Sequence, residues 1–138
     1  MTMLESYLND LRELVNFDCG TANHAGVTHA SEIMKRHFES IGLTCELVDL
    51  GPTVGKGLLA RNKPEAEQYD VLMNAHLDTV FPYGTAAERP MSIRDDRAYG
   101  PGVSDCKSGV LAIFYAIRNT PAEIRDRLSL CVALNPDE

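Results

Sequence analysis

Val71-Leu72-Met73-Asn74-Ala75-His76-Leu77-Asp78 is the stretch whose reading decides the fold. Residues 71–75 form a short apolar run that ends in polar, potentially reactive side chains. A strand buried on both faces reads this way. At its end, His76 and Asp78 stand two positions apart. Strand side chains repeat every second residue, so both can turn to one side. Imidazole and carboxylate are ordinary zinc ligands. Asp78 is also placed to accept a hydrogen bond from the His76 ring nitrogen that does not bind metal, fixing tautomer and orientation. On its own, however, a His-x-Asp triplet is more often a satisfied polar pair at a strand end.

Working outward, the run Leu128–Leu134 is a second apolar strand, and it leads into Asn135-Pro136-Asp137-Glu138. Upstream, Leu4, Leu8, Leu11, Leu14 and Val15 recur at helical spacing and predict an amphipathic helix over 4–17. Asp18–Gly26 reads as a loop. A second helix is predicted from Thr28, as N-cap, through Ile33, Met34, Phe38 and Ile41 to a stop at Gly42. Strands are predicted at Thr44–Leu50 and Gly57–Arg61, followed by a long loop over 79–90. Met91–Arg94 and Arg97–Tyr99 suit a small hairpin turning at Asp95-Asp96, a turn and not a carboxylate dyad. Beyond Gly100-Pro101-Gly102 a helix is predicted over Lys107–Arg118. The pattern is α/β: a mixed, mostly buried central sheet flanked by helices.

Composition sets the class. The 138 residues are 44% hydrophobic and 24% charged, the balance of one globular domain. A formal charge of −7 argues against nucleic acid or an anionic membrane as partner, because both would be repelled. No apolar signal core or membrane-length run is present, so a cytoplasmic location is expected. The four cysteines have no zinc-ligand spacing. Cys45 and Cys131, in apolar runs, read as reduced, buried small hydrophobes.

Three polar clusters each sit where an apolar element stops: His76 with Asp78, Asp105 before a helix, and Glu138 after the last strand. In open α/β sheets ligands collect beyond the carboxyl ends of the strands, where these groups can converge. By position alone, a helix N-cap is the likelier role for Asp105, and a solvated residue the likelier role for Glu138. Their order and surroundings add a resemblance. Residues 71–80 resemble the first metal motif of the dizinc exopeptidases related to aminoacylase and carboxypeptidase G. Arg97-Ala98-Tyr99-Gly100-Pro101-Gly102-Val103-Ser104-Asp105-Cys106-Lys107-Ser108-Gly109 resembles the second, and Asn135-Pro136-Asp137-Glu138 the start of the third. Leu14-Val15-Asn16-Phe17-Asp18-Cys19-Gly20-Thr21 is similar to the leader of the glutamate carboxypeptidase branch.

The resemblance implies roles. His76 would bind one zinc and Asp105 would bridge two, with cobalt or manganese as alternatives. Asp78 would orient His76. Glu138 would act as general base, taking a proton from the attacking water and passing it to the leaving amine. The peptide Asp105–Cys106 would be cis. Cys106 itself reads as a packing residue; Lys107 and Gly109 would shape the helix start. His24 and His29 read as loop or helix-start residues, and His37 as a helix-surface residue. The implied substrate is a small peptide or an N-acyl amino acid, cleaved as by a carboxypeptidase, with C-terminal glutamate release as one case. Aminoacylases, deacetylases and desuccinylases share the motifs. The family uses five ligands, of which two stand here. The chain is therefore expected to be the N-terminal part of one catalytic domain, without the lid and dimerisation domain, and inactive alone. The parent would be a homodimer, and an uncovered sheet would lead this chain to self-associate. The other class of reading is a non-catalytic α/β module that retains the motifs.

Overall fold

The computed structural model describes residues 1–138. Helix α1 (Met3–Val15) starts with a full capping box. The Thr2 hydroxyl accepts from Glu5 N at 3.1 Å, and the Glu5 carboxylate accepts from Thr2 N at 2.7 Å. Leu11, Leu14 and Val15 are buried, while Leu4 stays in solvent. Helix α2 (His24–Ser40) begins four residues before the predicted cap at Thr28. Its cap is Asn23, whose side chain accepts from Gly26 N at 3.0 Å. Gly26 is required there, since a Cβ would stand 2.1 Å from the Asp18 carbonyl oxygen. Thr28 instead lies within the helix and accepts from Lys56 N. Gly42, at φ +88°, ends the turn after α2 as read.

Strands β1 (Thr44–Val48) and β2 (Gly57–Arg61) follow, then β3 (Val71–His76). Strand β1 stops short of Leu50 because Asp49 turns the chain, accepting from Gly51 N. The 79–90 loop contains a one-turn helix, α3 (Thr85–Glu88). The hairpin β4 (Ser92–Arg94) and β5 (Arg97–Tyr99) turns at Asp95 and Asp96, both at positive φ. A π-turn over Val103–Lys107 feeds α4 (Ser108–Asn119), a short α5 (Ala122–Arg125) follows Pro121, and β6 (Leu130–Asn135) closes the chain. The α5 turn occupies the residues before Leu128, so β6 starts later than the apolar run suggested.

The main sheet is mixed, in the order β1-β2-β6-β3. Strands β1, β2 and β6 pair antiparallel, and β3 pairs parallel with β6. Leu58, Ala60, Leu130, Val132 and Leu134 share one face by the two-residue period and join the core built with Leu14 of α1, Phe38 of α2 and Phe114 of α4. Burying each of the leucine, valine and phenylalanine side chains contributes about 1.5–3 kcal/mol. The fold class is as read from sequence.

The expectation that β3 is buried on both faces is not met. It is an edge strand, with Val71 37% and Leu72 65% exposed. An apolar run records the covering its side chains require, and within these residues only β6 lies beside it. Cys131 is buried, but Cys45 is only half-buried, and all four cysteines are free. No helix is long and apolar enough to cross a membrane.

Candidate active site

The parallel pairing of β3 with β6 brings the His76 and Glu138 clusters together. His76 stands opposite Asn135, and Leu77 N donates to the Asn135 carbonyl at 2.8 Å, so both strands end at one rim. Glu138 lies three residues past that point. Asp105 arrives on the π-turn. Gly102, at φ +80°, lets the chain double back there; a Cβ would meet Thr79 Cγ2 at 2.7 Å. Asp105 has extended φ/ψ of −126° and 96°, and the Asp105–Cys106 peptide is cis. Asp105 is not a helix cap: α4 begins at Ser108, and no side chain caps it.

At the rim, His76 Nε2 lies 2.8 Å from Asp105 Oδ1 and 3.0 Å from Glu138 Oε2. The His76 side chain is 16% exposed, whereas those of Asp105 and Glu138 are 78% and 67% exposed. The other ring nitrogen, Nδ1, lies 2.9 Å from the Asp78 main-chain carbonyl oxygen. A carbonyl only accepts, so Nδ1 carries a proton. A neutral ring then turns its Nε2 lone pair toward two carboxylates, an arrangement that calls for a proton or a cation. Burial pulls the His76 pKa down, but the hydrogen bonds to Asp105 and the Asp78 carbonyl, with the charges of Glu138 and Asp78, outweigh it and raise it overall. Nitrogen and carboxylate oxygens converging on one point suit zinc, and also cobalt or manganese.

Asp78, read from sequence as orienting His76 through its carboxylate, does so chiefly through its backbone carbonyl. The carboxylate Oδ1 is farther, at 3.3 Å from Nδ1. The carboxylate instead organises the surroundings. It accepts from Glu138 N at 3.1 Å and from the Thr21 hydroxyl at 2.5 Å, and its side chain is 4% exposed. Asp78 thus holds Glu138 as well as His76. The part of Thr21 was not legible in sequence. It follows from a tertiary bridge in which Gly20 pairs with Thr79 and Thr21 N donates to the Thr79 carbonyl. Asp18, in the same leader, accepts from Gly84 N and Ala86 N, which hold its carboxyl below the usual range.

Two grooves meet at His76, Asp105 and Glu138. One, of about 350 Å³, runs past Thr21, Phe81 and Ser104; the other passes Cys106, Asn135 and Asp137. The remaining histidines lie outside both. His24 opens α2, His29 lies inside that helix against Phe17 at 4.7 Å, and His37 packs on Phe114 at 4.9 Å. His37 is thus half-buried rather than a surface residue. Lys107 is buried, with Nζ over the Phe17 ring at 5.3 Å and no hydrogen-bond partner, so it faces the core and not the grooves.

The chain is 29% identical to carboxypeptidase G2 of Pseudomonas sp. over 95% of its own length and 32% of that protein's. It is 31% identical to the succinyl-diaminopimelate desuccinylase of Wolbachia pipientis over 81% of its length and 28% of that protein's. The chain therefore spans about a third of the curated relatives it matches. Among solved structures, human carnosine dipeptidase 1 superposes with a TM-score of 0.79 at 18% identity, covering 96% of this chain and 32% of that one. The M20 family metallo-carboxypeptidase Sso-CP2 of Sulfolobus solfataricus gives 0.72 at 20% identity, covering 99% and 31%. These structures share the fold. Residues 72–138 match the profile of peptidase family M20/M25/M40, and those residues hold His76, Asp78, Asp105 and Glu138.

Proposed function

We propose that this chain carries part of the active site of a metal-dependent amide hydrolase, a carboxypeptidase-type exopeptidase acting on small peptides or N-acyl amino acids. The observation that carries the reading is the convergence of His76 Nε2 with the Asp105 and Glu138 carboxylates within 2.8–3.0 Å at one rim. His76 and Asp105 would hold the metal, zinc in the first instance, and the family resemblance gives Asp105 the part of bridging a pair. When bound, such a pair supplies Lewis acidity toward the scissile carbonyl and acidifies water. The residues do the rest. The Asp78 carbonyl keeps the proton on Nδ1, so that Nε2 offers its lone pair. Asp78 also fixes the Glu138 main chain, aiming that carboxylate into the rim. Glu138 takes the proton of the attacking water and delivers it to the departing amine.

The relatives' names support amide substrates: one is a carboxypeptidase and one a desuccinylase. The leader resemblance favours release of a C-terminal glutamate. Because the chain spans about a third of those relatives, further ligands are assigned to sequence outside residues 1–138, and the chain alone is assigned no activity. The test is hydrolysis of an acyl-glutamate and acyl-amino acid library by a full-length parent, with and without chelator. Chelator-sensitive release of the C-terminal residue is expected. Turnover unaffected by complete metal removal, or no turnover of any amide, rejects the reading.

A further inference from the structure

We propose that the Cys106 thiol completes, with His76 Nε2 and the Asp105 carboxylate, a three-ligand site for one zinc or cadmium ion formed within these residues alone. Each of the three offers one ligand atom, and those atoms lie within 4.8 Å of one another. Cys106 also lines the groove that holds His76, Asp105 and Glu138. Its Sγ donates to the His76 carbonyl oxygen at 3.1 Å, which hangs the thiol at the end of β3 beside the imidazole-bearing residue. The other thiols are placed differently: Cys19 is buried and donates to Leu77 O, Cys131 is buried in β6, and Cys45 sits on β1.

Three protein ligands with one open position are the common complement of a single zinc centre. A thiolate among them favours zinc and cadmium over magnesium or manganese, which prefer oxygen. On binding, the S–H bond breaks and a sulfur–metal bond forms. The thiol proton goes to solvent, and the His76 carbonyl loses its S–H donor; no redox change is involved. Glu138 Oε2, 3.0 Å from His76 Nε2, stands beside the same site. This goes beyond the hydrolase reading, which gives Cys106 no part.

The test is titration of the reduced 138-residue chain with cadmium, read by the ultraviolet thiolate-to-cadmium charge-transfer band. One thiolate per chain is expected, with the band lost in Cys106→Ser and Cys106→Ala and kept in Cys45→Ser. Circular dichroism identifies the folded variants. Zinc should abolish the band in the wild type by competition, whereas magnesium should not. Cadmium bound without a sulfur band, a band that survives in a folded Cys106 variant, or no binding by the folded wild type each overturns the proposal. Binding through nitrogen and oxygen alone would remove Cys106 while leaving the hydrolase reading intact.

Discussion

Asp78 is the position where substitution tests the site most sharply. Its carboxylate is 4% exposed and accepts from Glu138 N and the Thr21 hydroxyl, with His76 Nδ1 nearby at 3.3 Å. Asp78→Ala removes both acceptors. An unpaired donor costs about 1–3 kcal/mol when fully buried. Thr21 is only half-buried and Glu138 is exposed, so water can replace part of what is lost. The expected destabilisation is therefore about 1–3 kcal/mol in total, from the low end of that range for each donor. Asp78→Asn behaves differently: its carbonyl oxygen can still accept from Glu138 N, while its amide donates to Thr21 Oγ1. It should stay within about 1 kcal/mol of wild type, because only charge is lost. Both variants remove a negative charge from beside the His76 ring, so both should lower its raised pKa. Urea unfolding gives the first quantity and an NMR titration of His76 the second. Equal stability of Asp78→Ala and wild type, or an unchanged His76 titration in both variants, would refute the assignment of Asp78 as organiser of the rim.

The raised His76 pKa also sets a pH dependence in the metal-free chain. Its contribution to stability is complete below the ordinary value of 6.5 and is lost as pH rises through the higher folded value; urea midpoints across that interval check the sign. In a full-length parent, Glu138→Gln should retain metal, measured by elemental analysis, while kcat falls by about 10²–10⁴-fold. The edge strand β3 exposes Leu72 at 65%, so the chain should self-associate in sedimentation, and Leu72→Lys should shift it toward monomer. Phe38 is fully buried, with its ring edge-on to Phe114 at 5.8 Å, and Phe38→Ala should cost about 3–5 kcal/mol in urea unfolding.

Much of the fold was legible because its signals are local. The periodicity of Leu11, Leu14 and Val15 fixes α1, and Asp95-Asp96 marks the hairpin through a turn that two short polar residues accommodate. The errors share a cause. Thr28 looked like a cap, but the real cap is Asn23, because Gly26 and Asp18 set where the chain can enter the helix. The β3 run looked buried on both faces, yet how much covers a strand depends on segments remote in sequence.

What the sequence determined by itself was chemical identity and order: an imidazole, a carboxylate before a helix and a carboxylate after a strand, each at the end of an apolar element. Side-chain type and local periodicity are written residue by residue, so they survive without a structure. Tertiary structure alone decided that His76, Asp105 and Glu138 meet, that Thr21 and Glu138 N share the Asp78 carboxylate, and that the Cys106 thiol hangs beside His76. Those contacts rest on the parallel register of β3 with β6 and on the doubled-back turn at Gly102. Both join residues far apart along the chain, and no local pattern encodes them.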